Sequence, residues 1–328
     1  MMKYALFVGE MLIDFIPRPS DEDGELCYQP HPGGAVANAA VALARLGGAA
    51  RFVGKLGEDS FGYLLLETLR ENRVDTRFVS TTAQANTTLA LVTLQANGQR
   101  AFSFYRQHTA DTLLEISDLD TRAWENVALL HAGSVSLSVD PARSATLSAL
   151  KLAHARGLPV SFDVNARPAL WSSEAGLREM LGRVITHVDL LKCSAEEVHY
   201  LDPSLLTSLH PGDRTRLIAC GQQLLTQGPV LVLITRGELD TLLMNSRNTI
   251  IMPTSTRAAL DTTGAGDAFM GALLSRLLKH NWTAVAQLAA LSASELQELG
   301  EFANKAAGIS CTRYGGIASL PYLAELEN

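Results

Sequence analysis

Between residues 127 and 235 the chain alternates short apolar strands with amphipathic helices, and this rhythm restricts the fold more than any other feature. The predicted strands are 127–132, 158–164, 188–192 and 230–235, and the predicted helices between them are 141–156, 174–186, 195–201 and 213–226. Strands that are apolar throughout are typical of a parallel sheet buried on both faces. The pattern therefore predicts an α/β fold in which helices cover both faces of a mainly parallel sheet.

Polar residues follow three of these strands directly, in segments 163–167, 192–197 and 235–238. The carboxyl ends of parallel strands lie at one edge of a sheet, and ligands bind beyond that edge. The three segments therefore predict one shared binding site.

The remaining elements are less regular. The sequence predicts strands 3–8, 11–16, 51–55, 87–94 and 100–105, and helices 35–46, 267–280 and 294–312. Asn97-Gly98 lies between two apolar runs and predicts a hairpin there, while residues 314–319 predict an exit loop.

The segment Asp261–Leu274 joins a glycine-rich loop to an apolar helical run. Gly264 and Gly266 permit the close approach of a ligand, and the first amides of a helix form an anion site. Asp267 fits a phosphate site if its carboxylate takes a proton from a hydroxyl that attacks a phosphoryl group. The helix N-terminus is expected to keep this carboxylate ionised.

Two other interpretations of this loop remain open. A dinucleotide fingerprint, G-x-G-x-x-G, requires its third glycine earlier than Gly271. A capped helix without a ligand is the other, because Asp and Gly are common at helix starts. The chain contains no G-x-x-x-x-G-K-[ST] motif, which excludes a P-loop kinase.

A second glycine pair, Gly33-Gly34, opens the predicted helix 35–46, and Asn38 lies in its first turn. The glycines let a ligand lie against the backbone. Asn38 is either a structural hydrogen-bonding residue or a ligand contact, and its place beside a Gly-Gly helix start favours the contact.

Charge and cysteine usage exclude several classes of protein. The net charge is −7 and there is no run of Lys and Arg, so nucleic acid and anionic membranes are not expected partners. The four cysteines show no C-x-x-C spacing, which argues against zinc and a disulfide framework. The run 5–8 is too short for a signal-peptide core, and no stretch approaches a membrane span, so a cytoplasmic location is expected.

The segments Gly33–Ala40 and Asp261–Leu273 closely resemble the two signatures of the PfkB/ribokinase family of sugar and nucleoside kinases. The resemblance extends over nearly the whole chain. It implies a ribokinase-like three-layer α/β/α sandwich, a single kinase domain over 1–328, with a small β-lid formed by 11–32 and 87–107. It also implies transfer of the γ-phosphate of ATP to a sugar hydroxyl, and a lid that can pair across a homodimer.

The resemblance also assigns roles to individual residues. Asp267 corresponds to the catalytic base, and the amides of Gly264, Ala265 and Gly266 correspond to the anion hole. The implied sugar contacts are Asp14, Gly33, Gly34, Asn38, Arg106 and Arg167. The implied ATP and Mg²⁺ region contains Lys192, Ser194, Glu197, Thr235 and Gly237. A monovalent-cation loop, for K⁺, is implied for Asp261, Thr263, Gly315 and Ser319.

Three positions depart from the pattern of the relatives. Val36 follows Ala35 where fructokinases more often have Pro. Many relatives have Asn at the position of Ser194, which puts a direct role for this side chain in question. A second glycine is common where this chain has Asp240, so the adenine contacts are not assigned.

The segments Phe162–Trp171 and Phe104–Arg106, followed by Ala110-Asp111, look most like bacterial fructokinases. The first segment also resembles 2-keto-3-deoxygluconate kinases, in which Arg106 and Arg167 would suit a substrate carboxylate. A nucleoside-like riboside is a third candidate substrate. Two other classes remain as alternatives: a dinucleotide-dependent oxidoreductase, which the late Gly271 disfavours, and a non-catalytic sugar-binding regulator, which the presence of Asp267 disfavours.

Overall fold

The computed structural model describes residues 2–19, 26–94, 100–205, 213–254 and 259–327. The predicted turn at Asn97-Gly98 and residues 20–25 of the implied lid lie outside these ranges. In the part of the chain that is described, no helix is both long and apolar enough to cross a bilayer.

The described residues form fourteen strands and eleven α-helices. The strands are β1 (Tyr4–Val8), β2 (Leu12–Pro19), β3 (Leu26–Gly33), β4 (Ala49–Val53), β5 (Lys55–Gly57), β6 (Ser80–Thr82), β7 (Leu89–Leu94), β8 (Arg100–Tyr105), β9 (Val127–Gly133), β10 (Val160–Asp163), β11 (Leu190–Ser194), β12 (Leu231–Thr235), β13 (Asp240–Asn245) and β14 (Thr249–Pro253). The helices are α1 (Ala35–Arg45), α2 (Ser60–Glu71), α3 (Ala142–Ala155), α4 (Glu174–Val184), α5 (Val198–Leu201), α6 (Arg214–Leu225), α7 (Ala265–Lys279), α8 (Val285–Ala290), α9 (Ala293–Ser310), α10 (Gly316–Ser319) and α11 (Leu323–Glu327).

The large sheet has eight strands in the order β14-β13-β12-β11-β10-β9-β1-β4. The six strands from β12 to β4 are parallel, which confirms the predicted mainly parallel sheet. The strands β13 and β14 are antiparallel and were not predicted. Only residues 236–239 separate β12 from β13, and so short a connection allows a hairpin but no crossover.

Both faces of this sheet are buried, as the continuous apolar strands predict. Ala5 and Phe7 of β1 pack into a core with α1, α7 and α9. The alternate residues Leu6 and Val8 pack into a second core with α3, α4 and α6. Successive side chains of a strand point to opposite faces, so a strand covered on both sides must be apolar at every position.

Three predicted elements differ from the structure. The predicted strand 51–55 is part of two strands, because β5 pairs with β6 rather than with β1. The predicted helix 195–201 begins only at Val198, since the Ser194 amide donates to the Glu197 carboxylate and forms a turn first. The predicted exit loop 314–319 contains α10, which begins after Gly315 turns the chain at a φ of +90°.

A separate four-stranded sheet has the order β3-β2-β7-β8. Its strands lie in the segments 11–32 and 87–107 that the resemblance assigns to a lid, apart from Gly33 at the end of β3. β2 pairs with β3 in antiparallel and with β7 in parallel fashion. We refer to these four strands as the small sheet.

Candidate active site

A cavity of about 760 Å³ lies between the small sheet and the carboxyl edge of the large sheet. Leu12, Phe102 and Phe104 of the small sheet contribute to its wall, and Lys192 and Thr235 contribute from the large sheet. Most of the residues singled out from the sequence line it: Asp14, Gly34, Asn38, Arg167, Lys192, Ser194, Glu197, Thr235, Gly237, Thr263, Gly264, Ala265, Gly266 and Asp267. Gly33, Arg106, Asp261, Gly315 and Ser319 are not among its lining residues.

Asp267 lies in the first turn of α7, which begins after Gly264 at a φ of +81°. No side chain caps this helix. One of the three predicted anion-hole amides already has a partner, because the Ala265 N–H donates to the Thr262 carbonyl at 3.2 Å. The Asn38 Nδ2 donates to Asp267 Oδ2 at 2.7 Å, so the two glycine-started helices α1 and α7 meet at this carboxylate.

The pKa of Asp267 is raised above its ordinary value, and burial is the main cause. The Asn38 hydrogen bond and the charges of Lys192 and Arg167 oppose this shift without cancelling it. The expectation that the helix N-terminus keeps this carboxylate ionised stays a prediction, and burial acts in the opposite direction. A raised pKa brings a carboxylate closer to the range in which general bases work best.

A buried ion pair lies beside this loop. The Lys192 Nζ donates to Asp163 Oδ1 at 3.0 Å and Oδ2 at 2.9 Å, from facing positions of β11 and β10. Burial lowers the pKa of Lys192, but Asp163, Glu197 and Asp267 outweigh it and hold this pKa above its ordinary value. A Cβ atom on Gly266 would lie 2.8 Å from Lys192 Nζ, so glycine is what lets the ammonium group lie against the loop.

Glu197 joins the end of β11 to the segment after β10. Its Oε2 accepts from the Ser194 amide at 2.8 Å, and its Oε1 accepts from the Ala166 amide at 2.7 Å. Burial raises the pKa of Glu197, and Lys192 opposes the shift. Within the described residues, no group of three or more His, Cys, Asp or Glu side chains is arranged to hold a metal ion. Glu197 lines the cavity, and one carboxylate together with nucleotide phosphates and water is the usual environment of a Mg²⁺ ion in kinases.

The part of the cavity between β12 and α9 is where the resemblance places ATP, and we refer to it as the nucleotide half. Thr235 and Gly237 line it, and Thr235 faces Ser194 across the strand pair. Sequence reasoning missed Asn304 of α9, which lines the same region and accepts from the Thr241 hydroxyl at 3.0 Å. Asp240, where relatives often have glycine, forms a buried ion pair with Arg236 at 2.6 Å.

Close backbone approaches shape the part of the cavity around Asp14, Gly34 and Asn38, where the resemblance places the sugar, and we refer to this part as the sugar half. A Cβ atom on Gly33 would lie 2.2 Å from Asp14 Oδ2, so the buried Asp14 carboxylate occupies the place of a side chain there. Gly34 begins α1 at a φ of +104°, and a Cβ atom on it would lie 2.8 Å from the Glu10 carbonyl oxygen. Position 34 therefore requires glycine, whereas at Gly33 the missing side chain leaves room for the Asp14 carboxylate.

The two arginines occupy different environments. Arg167 is partly exposed, donates to the Ala166 carbonyl at 3.0 Å and lines the cavity. Arg106 is buried, and its Nε donates to Asp111 Oδ2 at 2.7 Å. The structure thus brings Arg167 to the cavity and holds Arg106 in an ion pair behind its wall.

Three of the four residues implied for the monovalent-cation loop, Asp261, Thr263 and Gly315, are connected by hydrogen bonds. The Thr263 amide donates to Asp261 Oδ1 at 2.7 Å, and the Gly315 amide donates to Oδ2 at 2.8 Å. Ser319 instead donates to the Gly316 carbonyl oxygen at 2.8 Å and bonds to the Ser310 hydroxyl.

Sequence reasoning also missed Glu10, although it follows β1 at the same edge of the sheet as the other polar segments. Its Oε1 accepts from the Ala35 amide at 2.9 Å and caps α1, because Gly34 has no side chain to do so. Its Oε2 is buried without a hydrogen-bond partner in the described residues. Burial is the main reason that the pKa of Glu10 rises from 4.5 to about 7.

Glu10→Gln is expected to become more stable relative to the wild type as the pH rises. A carboxyl whose folded-state pKa lies above its unfolded value binds its proton more tightly when folded, so wild-type stability falls between pH 4.5 and about 7. Glutamine does not ionise, and the difference in the free energy of unfolding should grow by about 3 kcal/mol over that interval. Urea unfolding of both proteins at several pH values measures it, and a constant difference would contradict the assignment.

Comparisons with known proteins establish the family of this chain. The family model described as "pfkB family carbohydrate kinase" matches residues 2–323. Fructokinase-1 of Oryza sativa subsp. japonica is 38% identical over 320 residues, covering 97% of this chain and 94% of the relative.

Two solved structures share the fold. Fructokinase with bound ATP from Xylella fastidiosa has a TM-score of 0.87 and 32% identity, covering 100% of this chain and 98% of that one. Fructokinase from Vibrio cholerae O395, in a form with bound fructose, ADP and calcium ion, has a TM-score of 0.84 and 31% identity, covering 99% and 98%. The predicted ribokinase-like fold and ATP-dependent sugar kinase activity are confirmed, and the chain belongs to the pfkB family of carbohydrate kinases.

Proposed function

We propose that this protein transfers the γ-phosphate of ATP to a hydroxyl group of fructose, with Asp267 as the general base. The observation that carries the proposal is the position of the Asp267 carboxylate. It lies between a sugar half of the cavity, around Asn38, and the loop Gly264–Gly266 that faces the nucleotide half.

In the proposed reaction, the sugar hydroxyl loses its proton to Asp267 as its oxygen attacks the γ-phosphorus. The bond from that phosphorus to the bridging oxygen breaks, and ADP leaves. The Gly264 and Gly266 amides and the Lys192 ammonium stabilise the charge on the transferred phosphoryl group, and the Ala265 amide can contribute once it leaves the Thr262 carbonyl. Phosphoryl transfer depends mainly on such positioning and charge stabilisation, which suits this arrangement.

Fructose is proposed because the relatives described above are fructokinases and one binds fructose. The sugar half also suits a polyhydroxyl ligand. Asn38 Oδ1 is buried without a hydrogen-bond partner within the described ranges, and Asp14 lies nearby with Gly33 and Gly34. A buried acceptor without a partner is where a ligand hydroxyl donates most favourably.

Mg²⁺ is the proposed divalent ion, held near Glu197 and the ATP phosphates, where it would neutralise phosphate charge. The loop around Asp261, Thr263 and Gly315 is the proposed K⁺ site. Chelation of divalent ions by EDTA should abolish turnover and added Mg²⁺ should restore it, whereas turnover that persists in EDTA would contradict the metal assignment.

The oligomeric state and the cellular location are two further proposals. A homodimer through the small sheet is consistent with the exposed Leu26 and Tyr105 on its strands. A cytoplasmic location is consistent with four cysteines that form no disulfide bond.

The proposed function is tested by measuring ATP consumption with fructose, 2-keto-3-deoxygluconate, ribose, tagatose and nucleosides. We expect the highest kcat/KM with fructose. A higher kcat/KM with another member of the panel would replace fructose as the substrate. An absence of turnover on every member, combined with sugar-dependent thermal stabilisation, would favour a non-catalytic sugar-binding protein.

A further inference from the structure

The guanidinium of Arg106 lies behind the wall of the sugar half. Phe102 and Phe104 of β8 line the cavity, whereas Arg106, the first residue after β8, does not. The Nε of Arg106 donates to Asp111 Oδ2 at 2.7 Å, and its Nη1 donates to the Ser138 hydroxyl at 2.7 Å. The side chains of Arg106 and Asp111 are only 3% and 2% exposed.

Asp111 is itself held firmly in place. Its Oδ1 accepts hydrogen bonds from the hydroxyl groups of Thr88 and Thr109. Because both carboxylate oxygens have donors, the carboxylate has a defined orientation toward Arg106. The ion pair is therefore buried, and hydrogen bonds to other residues fix its geometry.

The ion pair changes what Arg106 can recognise. Arginine is the side chain best suited to a substrate carboxylate, which it binds through two parallel N–H groups. Here the Nε donates to Asp111 and the Nη1 donates to Ser138, and Nη2 is the guanidinium nitrogen without a hydrogen-bond partner in the described residues. The parallel Nε and Nη2 pair is therefore not free for a carboxylate, and the charge of Arg106 is already neutralised by Asp111. A carboxylate brought to this wall would also meet Glu10 and Asp14, both of which line the cavity.

We propose that Asp111 sets the substrate class of this kinase: by holding Arg106 in a buried ion pair, it keeps that guanidinium from a substrate carboxylate, so the site accepts neutral sugars and rejects sugar acids. Asp111 acts here as a positioning residue through Arg106. The inference rests on the proposed fructose kinase function and explains why that site, despite two arginines, selects an uncharged substrate.

Asp111→Asn tests the proposal, because it keeps the shape and an acceptor oxygen for Thr88 and Thr109 but removes the charge. The measured quantity is the ratio of kcat/KM for 2-keto-3-deoxygluconate to kcat/KM for fructose. We expect the ratio to rise at least about tenfold, with most of the gain in a lower KM for the acid. An unchanged ratio in a folded variant would show that Asp111 has no part in selectivity.

Asp75→Asn is the matched control. Arg51 of β4 donates through Nε to Asp75 at 2.8 Å, and these side chains are 3% and 11% exposed. No residue of β4 is among those that line the active-site cavity, whereas Phe102 and Phe104, next to Arg106, do line it. Both variants leave a buried arginine without its carboxylate and should lose stability. Only Asp111→Asn should change the substrate ratio, and an equal change in both variants would attribute the effect to general destabilisation and overturn the proposal.

If Asp111→Asn does not fold, inhibition of the wild-type protein tests the proposal instead. The acid 2-keto-3-deoxygluconate and its neutral amide differ mainly in charge, and the amide is expected to inhibit fructose turnover at about a tenfold lower concentration. Equal inhibition, or turnover of the acid as efficient as that of fructose, would overturn the inference. If the wild type does not turn over fructose at all, the proposed function fails and this inference fails with it, whereas the other outcomes leave that function intact.

Discussion

Asp267→Asn is expected to lower kcat by about 10²- to 10⁴-fold, with much smaller changes in the KM values for ATP and the sugar. Asparagine keeps the size of the side chain but cannot accept the proton of the attacking hydroxyl. The loop amides and Lys192 remain in place, so substrate binding should persist. Steady-state kinetics with saturating Mg²⁺ measure the effect, and an unchanged kcat would remove the base assignment.

Two further readouts separate loss of a base from loss of structure. Wild-type kcat should fall at acidic pH as Asp267 becomes protonated, and burial places the pKa of that step above the ordinary 3.8. This acid limb should disappear from the residual activity of Asp267→Asn. Thermal unfolding is the second readout: the variant removes a desolvated carboxylate, so its melting temperature should stay equal or rise. A large fall would attribute the kinetic loss to misfolding.

Lys192→Met is expected to have the second-largest effect, because it removes charge stabilisation and leaves a buried carboxylate without a partner. We expect kcat to fall by about 10²- to 10³-fold, the range for losing one donor to a developing oxyanion. Asp163 would then lie unpaired among buried residues, which should lower the free energy of unfolding by roughly 3–5 kcal/mol. Stopped-time kinase assays and urea unfolding measure the two effects.

The double variant Lys192→Met with Asp163→Asn separates these effects. Removing both charges abolishes the unpaired buried carboxylate, so most of the lost stability should return. Activity should stay low, because no ammonium group lies beside Gly266 in this variant. Recovery of kcat together with stability would mean that Lys192 has only a structural role.

Much of the fold could be predicted because both faces of the large sheet are buried. Leu6 and Phe7 are adjacent in sequence and point into different cores, so neither position tolerates a polar side chain, and the apolar run marks the strand. The strands β13 and β14, at one end of the sheet, carry a weaker signal. Their prediction depends on recognising that residues 236–239 form a tight hairpin connection, and the polar Asp240 and Thr249 at their starts obscure the strand pattern.

The glycine-rich helix starts could be located in the sequence, because special backbone geometry requires glycine at Gly34 and Gly264. The sequence alone does not show which side chains pair with each other. Arg106 has several carboxylates available to it, and only the three-dimensional arrangement selects Asp111. Glu10 was missed because its role as a cap depends on Ala35, which lies 25 positions away.

The contact between α1 and α7 also bears on how the chain is synthesised. Asn38 and Asp267 are 229 positions apart, and a Cβ atom on Gly271 would lie 2.3 Å from Ala42 Cβ, so the two helices pack backbone against backbone. During translation α1 is synthesised long before α7, so it has no packing partner at first. Contacts so distant in sequence form late in folding. The reaction centre is thus among the last parts of the molecule to assemble, and a chain that ends before α7 lacks both its proposed base and the neighbour that covers α1.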